Sequence, residues 1–96
     1  MCDILTIMFY FYVLYSLRDG NLYKGFTSDL LKRVVSHNAG KTRSTKHRRP
    51  FILLYFETYE EQSDALARER WSKSLSGGVA LRQLLQSKQL LGADNF

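Results

Sequence analysis

The chain has 96 residues, 45% hydrophobic and 14% aromatic, which is enough for one modest core, too little for two, and too apolar for a disordered segment. Fourteen lysines and arginines against nine acids give a formal net charge of +5, a balance that favours a polyanionic partner such as nucleic acid. The single cysteine, Cys2, offers neither a disulfide framework nor a metal cluster, and a reducing, cytoplasmic setting fits best.

One domain is expected over residues 1–96, with a core from about 9 to 86 and loose ends at 1–7 and 88–96. The apolar run from Ile4 to Leu17 is interrupted by Thr6 and Ser16 and falls short of the roughly 20 apolar residues of a membrane span, so no membrane association is expected. Met8 directly precedes the first strand, and residues 1–7 read as an upstream extension. That strand, about 9–17, lacks apolar/polar alternation and is expected at the centre of its sheet, covered on both faces.

Arg18-Asp19-Gly20 is a hairpin signal leading to a second strand, about 22–26. A two-residue Asp19-Gly20 turn sets Ser16 opposite Tyr23, with Tyr15 and Tyr23 on opposite faces. A three-residue loop sets Tyr15 directly opposite Tyr23 on one face. The second register is expected, because only it lets the two phenols share a site.

The first helix is expected from Asp29 to Ala39, capped by Thr27 or Ser28 and stopped by Gly40. Leu30, Leu31, Val34 and Val35 form its buried stripe, and Arg33 and His37 lie one turn apart on its border. Lys41, Arg43, Lys46, Arg48 and Arg49, with His47, make a basic loop without an acid. Phe51–Phe56 reads as a buried third strand, and Thr58 with Glu61 as a capping box opening a second helix to about Ser74. Ala65, Leu66 and Glu69 fall on one side of it, and Trp71 with Ala67 and Leu75 reads as core. Gly77-Gly78 is expected to break the helix before a third, Val79–Gln86. The result is an α/β (α+β) domain of order β-β-α-β-α-α, a three-stranded antiparallel sheet flanked by helices.

Residues 12 to about 75 resemble the GIY-YIG nuclease superfamily, in particular small stand-alone proteins similar to the N-terminal nuclease domain of the bacterial repair excinuclease. The matching pieces are Val13-Leu14-Tyr15, Tyr23-Lys24-Gly25, the Arg33, His37, Asn38 segment, and Ala65-Leu66-Ala67-Arg68-Glu69. Three departures stand out: Val-Leu opens the first tripeptide, Tyr15 and Tyr23 are closer together than is usual in the family, and Phe26 replaces a lysine of the excinuclease domain.

The resemblance implies a metal-dependent endonuclease acting on DNA, branched or single-stranded, in repair or recombination, without a small-molecule cofactor. Phosphodiester hydrolysis needs an activated water, a cation and leaving-group stabilisation. By the resemblance, Tyr15 is the general base, Tyr23 orients water or phosphate, Arg33 clamps the scissile phosphate, and His37 holds phosphate or shuttles a proton. Glu69 is the metal ligand, for one Mg²⁺ or Mn²⁺ that keeps much of its hydration. Lys24, Asn38, Lys41, Arg43, Lys46, His47, Arg48 and Arg49 are the expected nucleic-acid contacts. The alternative is a catalytically weak or inactive nucleic-acid-binding module on the same fold. A third class, a protein-interaction adaptor using its aromatic surface, would lack salt-dependent DNA affinity.

Overall fold

The apolar run Phe9–Ser16 forms the central strand, β1, because both of its faces are covered: Phe11, Tyr12, Val13 and Leu14 are all fully buried. A computed structural model describes residues 7–91, so what was expected of residues 1–6 and 92–96 lies outside the described residues. Around β1 lie β2 (Leu22–Thr27) and β3 (Phe51–Tyr59), both antiparallel to it, in the order β2-β1-β3. Among the described residues the helices are α1 (Leu30–Asn38), α2 (Gln62–Lys73) and α3 (Leu75–Ser87), with a 3-10 turn at Lys46–Arg48. This is the expected order β-β-α-β-α-α, an α+β fold.

The alternation of β1 divides the core in two. Phe11 and Val13 pack with Leu81 and Leu85 of α3, joined by Trp71 of α2. On the other face Tyr12 and Leu14 pack with Phe51, Tyr23, Leu30 and Val34 beneath α1. Only Leu30 and Val34 of the expected α1 stripe are covered; Leu31 and Val35 are 76% and 59% exposed, because they lie about 100° further round a short helix that meets the sheet along one line. The cap of α1 is Asp29, which accepts from Lys32 N, while Thr27 Oγ1 accepts from Asp29 N one step earlier.

Neither the expected three-residue hairpin nor its two-residue alternative forms. Ser16 N donates to Asn21 O at 3.0 Å and Gly20 N to Ser16 O at 2.9 Å, closing a four-residue loop, Leu17–Gly20. Gly20 sits at φ 73, in the left-handed region that the end of such a loop demands. Ser16 is the cause: its buried hydroxyl accepts from the amides of Arg18 and Asp19 and donates to Arg48 O at 2.5 Å. The side chain thus ends the strand before Leu17. The register becomes Leu14↔Tyr23 and Tyr15↔Leu22. Tyr15 and Tyr23 therefore lie on opposite faces of the sheet, and the expected pairing of the two phenols is corrected.

β3 continues past the expected end because Tyr55, Glu57 and Tyr59 alternate onto one face. Both phenols donate to the Glu57 carboxylate, and Arg68 of α2 adds two hydrogen bonds at 2.9 and 3.0 Å. Burial pushes the Glu57 carboxyl up, but Arg68 and the phenols outweigh it and hold it below the usual range. Thr58 accordingly belongs to the strand and makes no capping box, and α2 starts at Gln62 without a side-chain cap. Ser74 caps α3 by accepting from Gly77 N at 3.0 Å. Gly77 and Gly78 thus lie in its first turn instead of breaking the chain between helices.

Candidate active site

Tyr12 pairs with Gly25 across β1 and β2, and the absence of a side chain on Gly25 lets the Tyr12 ring lie over it. A Cβ there would stand 2.6 Å from the phenol oxygen. Above the phenol come two side chains of α1 at i and i+4. Arg33 Nε donates to Tyr12 Oη at 3.3 Å, and His37 Nε2 lies 3.1 Å from the same oxygen. Tyr23, on the same face, meets the His37 ring edge-on with centroids 4.9 Å apart. His37 is fully buried, and its Nδ1 lies 2.9 Å from Thr45 Oγ1.

The electrostatics follow from this packing. Burial, and then the Arg33 charge, press the His37 imidazole down to about 4, so it is neutral at pH 7. Burial pushes the Tyr12 phenol up; the Arg33 hydrogen bond pulls it back, and Tyr23 and Glu69 add to the rise. Arg33 is held more firmly protonated, chiefly by its bond to Tyr12.

Tyr23, Arg33 and His37 are brought together as expected, but the fourth member of the group is Tyr12. Tyr15 faces the other side of the sheet, paired with Leu22. The sequence held a signal for this: Tyr12 precedes Tyr23 by eleven residues, three more than Tyr15, which removes the short spacing. Phe26, in the position of a lysine in the excinuclease domain, pairs with Phe11 on the Tyr15 face, and the cation beside the phenol is Arg33.

Glu69 on α2 has only 14% of its side chain exposed and pairs with Lys73, one turn on, at 2.5 Å. Its charge reaches Tyr12. Among the described residues no three His, Cys, Asp or Glu side chains cluster, so these residues build no closed metal cage. One little-exposed carboxylate, on giving up its pairing with Lys73, could hold a hydrated hard cation whose other ligands are water and phosphate oxygens.

The expected nucleic-acid contacts divide. Lys41, Arg43, Lys46 and His47 are exposed. Lys24 lies on the opposite face from Tyr12 and donates to Ser72 O at 3.1 Å, its amine pushed down by burial and then by Arg82 and Lys73. Asn38 clamps the start of β3, donating to Phe51 O at 3.0 Å and accepting from Phe51 N at 2.7 Å. Arg48 donates to Asp19 at 2.6 Å and to Leu22 O, and its hydrogen bond holds the Asp19 carboxyl at about 2. The Arg49 guanidinium lies against Gly40. Lys24, Asn38 and Arg48 hold the fold together, whereas Arg49 touches Gly40 and is still exposed, so the cations left facing solvent are somewhat fewer than the charge run implies. A cleft of about 310 Å³ beside the site is lined by Arg33, Lys32, Ser36, Lys41, Thr27 and Asp29, with Val35. Lys32, absent from the expected contacts, therefore stands next to Arg33.

No helix among the described residues is long and apolar enough to cross a membrane. The family model described as the GIY-YIG catalytic domain matches residues 8–78. A UPF0213 protein of Pediococcus acidilactici is 45% identical over 80 residues, covering 79% of this chain and 80% of its own. One of Staphylococcus epidermidis is 46% identical over 67 residues, covering 69% and 82%. The solution NMR structure of the UPF0213 protein from Bacillus halodurans matches with a TM-score of 0.51 at 30% identity, over 81% of this chain and 85% of that one. With Tyr12, Tyr23, Gly25, Arg33, His37 and Glu69 all within the matched span, the chain belongs to the GIY-YIG family, a nuclease-type domain.

Proposed function

We propose that the protein is a metal-dependent endonuclease that hydrolyses DNA phosphodiester bonds, with Tyr12 in the role that the sequence resemblance gave to Tyr15. The observation that carries this reading is the Arg33–Tyr12–His37 arrangement: one phenol oxygen between a fixed cation and a neutral imidazole, above a glycine that leaves it room. Tyr12 gives its proton to His37 Nε2 and, as phenolate, takes one from the attacking water. The water oxygen bonds to phosphorus as the bond to the leaving oxygen breaks; that oxygen takes a proton from solvent, and the His37 imidazolium returns one to solvent. Arg33 holds the phosphate, and Tyr23 orients the water.

Magnitudes say when this site is active. Even at the ordinary phenol value near 10, moving the Tyr12 proton onto a histidine that titrates at about 4 costs on the order of 8 kcal/mol. At rest, therefore, the proton stays on Tyr12 and His37 is neutral beside the Arg33 cation. A bound phosphate places negative charge beside His37 and favours its protonated form. Glu69 would hold a divalent cation, which when bound would offset charge on the phosphoryl oxygens and favour an ionised oxygen nearby. Exposed Lys41, Arg43 and Lys46, with Lys32 in the cleft, contact backbone phosphates without reading bases, so the preference is for DNA shape over sequence.

Glu69→Gln tests the enzyme reading against that of a binding module. Wild type is expected to nick branched or single-stranded DNA only with Mg²⁺ or Mn²⁺, and the variant to bind equally well with cleavage reduced at least about a hundredfold. Intact binding with no cleavage by wild type under any metal condition sinks the enzyme reading.

A further inference from the structure

Thr45 belongs to the basic loop yet is 1% exposed, while Lys41, Arg43, Ser44 and Lys46 around it are all exposed. Its Oγ1 lies 2.9 Å from His37 Nδ1 and 3.4 Å from Thr42 O. At the other end of the imidazole, Tyr12 Oη lies 3.1 Å from Nε2 and receives Arg33 Nε–H at 3.3 Å.

Proton counting fixes the directions. Arg33 can only donate, so the hydrogen of the Tyr12 hydroxyl must find an acceptor, and His37 Nε2 is the one in place. A neutral imidazole has one N–H, which must then sit on Nδ1 and point at Thr45. The Thr45 hydroxyl accepts it and turns its own hydrogen to Thr42 O. In the opposite tautomer the Tyr12 oxygen would face two donors, its own hydrogen would lose its acceptor, and Thr45 would have to abandon Thr42.

We propose that Thr45 is a positioning residue that fixes the Nδ1–H tautomer of His37, keeping Nε2 free to accept the Tyr12 proton and making correct docking of the basic loop a condition of site competence. The inference rests on Tyr12 acting as the general base. When the Tyr12 O–H bond breaks and an Nε2–H bond forms, His37 becomes an imidazolium whose Nδ1–H still donates to the same Thr45 oxygen. Nothing but the proton has to move.

The test pairs ¹⁵N NMR of the His37 ring at pH 7 with kcat and KM for metal-dependent DNA cleavage, in wild type, Thr45→Ser and Thr45→Val. Wild type and Thr45→Ser are expected to show Nδ1–H, Nε2 unprotonated, and kcat values within about threefold of each other. Thr45→Val is expected to lose the single tautomer and roughly ten- to a hundredfold in kcat, with KM little changed. Nε2–H in the wild type overturns the proposal, as does a folded Thr45→Val protein with an unchanged tautomer and kcat. Where Thr45→Val fails to fold, the wild-type ring and Thr45→Ser decide. A wild type that shows Nδ1–H but cleaves nothing supports the tautomer assignment and counts against the nuclease reading, so the two failures are distinct.

Discussion

The contact between the Tyr12 phenol and Gly25 couples a residue choice on β1 to one on β2. Gly25→Ala would place a methyl 2.6 Å from the phenol oxygen and 2.7 Å from Cζ, so the ring must move and lose its alignment with Arg33 and His37. Cleavage is expected to fall at least about tenfold, with a stability loss of roughly 1–3 kcal/mol in urea titration. His37 sets a pH dependence. Its folded-state value, about 4, lies below the ordinary 6.5; the unfolded chain binds the extra proton first, so stability is full above about pH 6.5 and falls as pH drops towards 4. That slope should amount to on the order of 2–3 kcal/mol and flatten in His37→Asn, measured by chemical denaturation at pH 7 and pH 4.5. Arg33 and His37 were legible from their i, i+4 spacing. Tyr12 was passed over because the expected register paired Tyr15 with Tyr23, although the eleven-residue spacing from Tyr12 to Tyr23 stood in the sequence.

At the level of elements, the order and pairing of strands and helices could be read from apolar runs and breakers, but the β1–β2 register could not. It turned on the Ser16 hydroxyl, which binds the nearby amides of Arg18 and Asp19 and a third partner, Arg48 O, that only the fold brings to it. A register displaced by one residue moves every side chain to the other face, and so Tyr15 was exchanged for Tyr12. The reach of β3 to Tyr59 was similarly hidden, since Glu57 belongs in a strand only when Tyr55, Tyr59 and Arg68 satisfy it. Asn38, adjacent to the histidine in sequence, works for the architecture: its amide clamps both backbone groups of Phe51. Asn38→Ala should cost roughly 1–3 kcal/mol and leave DNA affinity of the folded protein within about twofold, by denaturation and fluorescence anisotropy.

For the molecule as a whole, the excess of basic residues is smaller in effect than in number. Arg48 of the charge run is engaged within the fold, whereas Lys41, Arg43, Lys46 and Arg49 face solvent. Arg43→Ala should therefore weaken DNA binding and lower the salt dependence of log K by up to about 0.9, whereas Arg48→Ala should chiefly destabilise the loop it ties to Asp19. Everything proposed for catalysis depends on which tyrosine does the work. Metal-dependent cleavage of a branched DNA by Tyr12→Phe and Tyr15→Phe, both shown to be folded, decides it. Loss of roughly a hundredfold or more in Tyr12→Phe, with Tyr15→Phe within about threefold of wild type, is the expected result; the reverse pattern, or equal activity in both, would contradict it.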